Sequence, residues 1–148
     1  MKPDAQAVLA QTAQALMTVH APQAAAPYFA AQLGMTAINI GMMVEEWERA
    51  AQRRVEENAA IRGLFGRAAG LGLEPGLAAR LAGLATGAEP DLRISTLEAA
   101  NTTLRAALID LQAAVETRAD GPAKALNDAI WAELSASTVR RGFTGATF

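Results

Sequence analysis

"LEAANTTLRAALIDLQAAV", Leu97–Val115, is the stretch whose reading decides the fold. Leu97, Asn101, Leu104, Leu108, Leu111 and Val115 recur at alternating spacings of four and three. That rhythm puts all six on one stripe of an α-helix, the heptad seam of a helix packed along another helix. The seam carries one polar residue, Asn101. Asparagine is a poor helix former, and a buried amide without partners costs roughly 1–3 kcal/mol.

The exception has an echo. "ENAAIR" at Glu57–Arg62 and "ANTTLR" at Ala100–Arg105 share the order Asn, two small residues, a branched aliphatic and Arg. Asn58 lies on a second helical seam, through Val44, Trp47, Ala51, Asn58, Ile61 and Phe65. If the two helices run antiparallel with residues 70–90 as the turn, a rise of about 1.5 Å per residue sets the two asparagines level. The expected result is a buried polar layer of Asn58, Arg62, Glu98 and Asn101, with Glu57 and Arg105 at its rim. Such a layer fixes helix register at some cost in stability. The functional alternative is a cavity gripping a polar or anionic ligand through Arg62 or Arg105.

Outward from these seams the chain reads as five helices without a strand. The first runs from about Asp4, a natural N-cap, to His20, with Leu9, Ala13 and Leu16 at helical spacing. Pro22 and Pro27 bracket a linker, and Pro27 suits the first turn of a second helix reaching about Ala69. At ~1.5 Å per residue that helix would be ~64 Å long, so either it bends near Gly34 or Gly41 or one end projects towards another subunit. Gly70, Gly72 and Pro75 close it. Leu77, Leu81 and Leu84 mark a short third helix, and the fourth spans about Asp91–Arg118. Pro122 opens the fifth, striped by Leu126, Ile130 and Leu134 and ended by Arg140, Arg141 and Gly142, with 143–148 as a tail. The expected fold is a single all-α domain over residues 1–148, an up-and-down helical bundle. Its second and fourth helices are long, and a short helix sits in the connection between them.

Composition narrows the function classes. The net charge is −2, and the arginines at 49, 53 and 54 sit among Glu45, Glu46, Glu48, Glu56 and Glu57, so no basic face for nucleic acid is expected. The chain has no cysteine, which excludes disulfides, thiol nucleophiles and cysteine-ligated metals. The segment from Ala21 to Val44 is free of charge, but Gln32, Thr36 and Asn39 within it argue against a membrane span. An acid at position four and no continuous apolar stretch at the N-terminus give cytoplasmic residence as the expectation.

Concentrated chemistry is missing. The single histidine, His20, suits a helix C-terminus and has no second histidine to support metal binding or acid–base work. Glu45, Glu98 and Glu133 could offer oxygen ligands to a hard cation, but their spacing specifies none. "STLE" at Ser95–Glu98 has the form of a capping box, though Leu92 and Ile94 suggest an earlier helix start. No catalytic residue, metal or cofactor is therefore expected.

The most unusual stretch is "GMTAINIGMMVEEW", Gly34–Trp47. Its glycines would allow close helix approach, and its methionines and indole supply adaptable apolar surface. The expected function is binding or assembly without catalysis, through a homodimer interface of Gly34, Met35, Ile38, Gly41 and Met42. The alternative is a bundle binding a small apolar or amphipathic ligand, even an enzyme, with Met42, Met43, Glu46, Trp47, Arg62 and Asn101 around the ligand. A third class is a protein that coats an apolar surface.

Overall fold

The computed structural model describes residues 4–144, and every regular element among them is helical. Helix α1, Ala5–Ala15, is prolonged by a π-helical turn at Leu16–His20 and a last α-turn at Ala21–Gln23. It is followed by α2, Pro27–Arg67; α3, Pro75–Ala85; α4, Ile94–Glu116; and α5, Gly121–Arg141. Of the expected tail, Phe143 and Thr144 are described and 145–148 lie outside the described residues.

Local chemistry sets the ends. The Asp4 carboxylate caps α1 by accepting from the Gln6 and Ala7 amides, Glu74 caps α3 through Gly76 and Leu77, and Asp120 caps α5 through Ala123. Gly70 and Gly72 take φ of 82° and 62°, the left-handed conformation that stops α2. The Ser95–Glu98 capping box does not form, because α4 already starts at Ile94.

Two compact units divide the chain: unit 1 holds the described residues up to Ala50 with Phe143 and Thr144, and unit 2 spans Ala51–Gly142. The boundary falls inside α2. In unit 1, α1 and the first half of α2 form an antiparallel hairpin, with Gln6 Nε2 donating to Glu48 Oε2 at 3.0 Å. The hairpin has little interior. Ala37 and Ala50 are its buried apolar residues, while Leu9, Leu16, Leu33 and Val44 are half-buried.

Unit 2 is a four-helix bundle around one core. Ile61, Leu64, Phe65 and Ala68 of α2 meet Leu81 of α3, Leu104, Leu108, Leu111 and Val115 of α4, and Leu126 and Ile130 of α5. Each wholly buried aliphatic side chain here contributes roughly 1.5–3 kcal/mol of transfer free energy. The direction of the helices corrects the expected antiparallel pairing of α2 and α4. Asn58 meets Asn101 near the start of α4, and the Leu71 carbonyl accepts from Arg118 beyond its end, so the two helices climb together. Helix α3 makes this possible by carrying the chain back. Leu81 is its buried anchor, with Leu77 and Leu84 against the core and Arg80 paired with Asp110. The short helix is a full member of the bundle, giving up-down-up-down order through the second half of α2, α3, α4 and α5.

Candidate functional site

Two regions carry the residues singled out by the sequence. The first is a polar cluster at the end of unit 2 where α4 begins and α5 finishes. Asn58 is 0% exposed and Asn101 1%. Asn101 Nδ2 donates to Asn58 Oδ1 at 2.9 Å, and Asn58 Nδ2 donates to Glu89 Oε1 at 3.0 Å and to the Leu97 carbonyl at 3.3 Å. The parallel climb of the helices brings the two amides to the same height.

The rest of the layer differs from expectation. Glu98 is exposed and pairs with Arg54 at the surface rather than with Arg62. Arg62 turns to the α3–α4 connection, donating to the Gly87 carbonyl and pairing with Glu89. Both changes follow from the parallel register, which brings Glu98 level with Arg54 and leaves Arg62 to meet the chain where it leaves α3.

Glu57, expected at the rim, is the centre of the cluster at 3% exposure. Arg105 donates to one of its oxygens at 2.9 Å, and Arg141 grips the other with two nitrogens at 3.0 and 2.8 Å. Arg141 also reaches Asn101 Oδ1 at 3.2 Å, joining the ion pairs to the amides. Burial alone would raise the Glu57 carboxyl. Hydrogen bonding from Arg141 and the Asn101 amide, with the charges of Arg141 and Arg105, outweighs it and holds the group below its ordinary value. Arg53 donates to the Gly142 carbonyl at 3.0 Å, tying down the end of α5. Each Asn58 and Asn101 oxygen named here has a donor, and Glu57 is neutralised. The network is not fully satisfied, however: Arg62 Nη1 and Glu89 Oε2 are buried without a hydrogen-bond partner.

The second region is unit 1. Its surface carries Val8, Met17, Val19, Tyr28, Phe29, Met35, Met43 and Trp47, each at least 42% exposed. Of the residues expected at an interface, Met35 belongs to this exposed set. Ile38, Gly41 and Met42 line a cleft with Gln6, Phe143 and Thr144, and Gly34 is half-buried. In that cleft the Thr144 hydroxyl and amide both donate to Glu45, which also pairs with Arg49. Partial desolvation opposes ionisation of Glu45, but the Thr144 and Arg49 contacts hold its pKa below the ordinary value.

A Cβ built on Gly34 or Gly41 meets nothing within 4 Å, so the close helix approach expected at these glycines does not occur within the chain. Gly34→Ala and Gly41→Ala should each raise the unfolding free energy by about 0.5–1 kcal/mol through helix propensity, measured by urea denaturation. A loss of stability at either site would reveal a surface pressed against it.

The residues of the alternative ligand site are distributed. Met42, Met43, Glu46 and Trp47 belong to unit 1, with Met43 and Trp47 exposed, whereas Arg62 and Asn101 belong to the polar cluster of unit 2. His20 ends the π-helical turn and is exposed. Glu133 pairs with Arg140, and among the described residues no three His, Asp or Glu side chains are placed to hold a metal ion. No known protein family, curated protein or solved structure matches this chain. Among the described residues no helix is long and apolar enough to cross a membrane.

The sequence reading missed Arg141 and undervalued Glu57. The signal for Glu57 was available, because it lies four residues before Ile61 and seven before Leu64, on the core stripe itself. Arg141 carried no such signal. A cation at a helix end ordinarily complements the dipole, and only the return of α5 to the start of α4 brings it to Glu57.

Proposed function

We propose that this protein is a non-catalytic assembly module that acts as a homodimer through the exposed apolar surface of unit 1. The supporting observation is the contrast between the units. Unit 2 buries its aliphatic stripes in a core, whereas unit 1 buries only alanines and leaves three aromatic rings and three methionines exposed. A helical hairpin gains most of its stability from burying an apolar face, so a hairpin this exposed is completed by a second surface. A copy of the same chain supplies one of equal apolarity, and a closed two-fold pair consumes both faces.

Sedimentation equilibrium over a hundredfold range of concentration tests this reading. The expected result is a dimer that dissociates on dilution, and a double Met43→Glu, Trp47→Glu variant that stays monomeric while keeping its helical circular dichroism. A monomer at all concentrations, or a variant dimerising as well as the native chain, would count against it.

A further inference from the structure

Tyr28, Gln32, Thr36, Asn39, Met43 and Trp47 are all exposed, and their spacings along α2 are four, four, three, four and four. At about 100° per residue these six fall within one face of the helix. The series is palindromic: read from either end it gives the same intervals, with its midpoint between Ala37 and Ile38. A helix face that pairs with its own copy across a two-fold axis, in opposite directions, needs that symmetry.

We infer that α2 pairs with α2 of a second copy antiparallel, with the two-fold axis passing between Ala37 and Ile38. The inference rests on the homodimer reading and adds its face, direction and register. In this arrangement Tyr28 of each copy meets Trp47 of the other, Gln32 meets Met43, and Thr36 meets Asn39.

The chemistry of each pairing fits. Thr36 Oγ1 donates its proton to the Gln32 carbonyl at 2.8 Å, so towards a partner it is an acceptor. The Asn39 carboxamide offers the complementary donor. Gln32 Nε2 donates to Tyr28 Oη at 3.0 Å, so the two polar ends pair with each other, and the aromatic ring and the glutamine stem supply apolar surface to the contact. A shallow hollow of about 730 Å³, lined by Tyr28, Phe29, Gln32, Met35 and Asn39 among others, lies where the Trp47 indole and Met43 thioether of the second copy would arrive.

A parallel pairing is worse on two counts. It sets Thr36 acceptor against Thr36 acceptor, and it brings Glu46, at the edge of the same face, towards Glu46 of the copy, where like charges repel, whereas the antiparallel register sets Glu46 beside Phe29. Size is sufficient as well. Aromatic side chains carry about 150–250 Å² each, so the exposed parts of Tyr28, Phe29, Trp47, Met35 and Met43 amount to roughly 600 Å² per copy. Doubled, that reaches about 1,200 Å², the lower bound for a specific interface.

The native chain has no cysteine, so single thiols report pairing cleanly. Gln32→Cys and Met43→Cys variants would be mixed, exchanged and oxidised, with the products read by non-reducing mass spectrometry and the association state by sedimentation. The expected product joins one Gln32→Cys chain to one Met43→Cys chain. Neither variant should cross-link to itself, because in this register each thiol stands about 16 Å along the axis from its own copy, beyond the roughly 7 Å Cα separation a disulfide spans. Self-linked chains of either variant would establish a parallel pair and overturn the inference while leaving the dimer. A dimer without either cross-link would place the interface on another face, with the same consequence. A monomer would overturn the dimer reading as well. A monomer that floats with phosphatidylcholine vesicles would assign the face to a lipid surface.

Discussion

Glu57→Ala should lower the unfolding free energy by about 3 kcal/mol, the low end of the cost of removing one partner from a buried ion pair. The carboxylate is 3% exposed and the substitution leaves two guanidinium groups facing each other across the site. The cost stays at the low end because the Arg105 and Arg141 side chains keep 43% and 47% exposure and can turn to water. Urea denaturation followed by circular dichroism measures the loss, and a value under about 1 kcal/mol would mean that the three groups gain no more than an exposed pair does. The same group makes stability depend on pH. Its folded pKa lies below the unfolded value, so its contribution is complete above the unfolded pKa and is lost as pH falls through the folded one. The urea midpoint of the native chain should therefore drop as the pH falls below the ordinary glutamate value of about 4.3, and the drop should be smaller in Glu57→Gln. Equal drops in the two proteins would assign the acid sensitivity to other carboxylates.

The amide pair gives the second large effect. Asn101→Leu removes the donor to Asn58 Oδ1 and one acceptor of Arg141, and Asn58→Leu leaves Asn101 Nδ2 and Glu89 Oε1 short of a partner. Each substitution should cost about 2 kcal/mol, the price of a buried polar group without its hydrogen bond. A polar residue on an apolar seam ordinarily costs stability, but Asn101 is a joint in a network, so its removal leaves partners unpaired on both sides. The double variant should lose less than the sum of the singles by about 1 kcal/mol, since both halves of one hydrogen bond disappear together. Strict additivity would show that the two amides are independent and that the layer does not fix the packing of α2 on α4.

The periodic features of this fold were legible and the directional ones were not. Leu97, Asn101, Leu104, Leu108, Leu111 and Val115 could be placed on one stripe from spacing alone, and all six are buried in unit 2. Asp4, Pro27, Gly70 and Pro75 mark helix ends through chemistry that acts within a few residues. A heptad seam has no arrow, however. The same leucines satisfy a parallel and an antiparallel neighbour, and the choice was made by Leu81, which anchors α3 in the core and turns a presumed connection into a return helix. Once the direction changed, so did the neighbours of Arg62 and Glu98. Arg141 was out of reach for a related reason: its contact with Glu57 spans 84 residues, and no local pattern encodes such a separation.

The hydrogen bond from Arg53 to the Gly142 carbonyl ties the first turn of unit 2 to its last residue. Unit 2 is thus topologically an insertion: the polypeptide enters and leaves it at one place, and unit 1 is written in two separated pieces of sequence. Proteins of this kind can be rearranged without being redesigned. In unit 2 taken by itself, residues 51–142, a short peptide joining 142 to 51, with new ends opened in the connection between α4 and α5, would preserve the helix arrangement around the core while changing which helix is synthesised first.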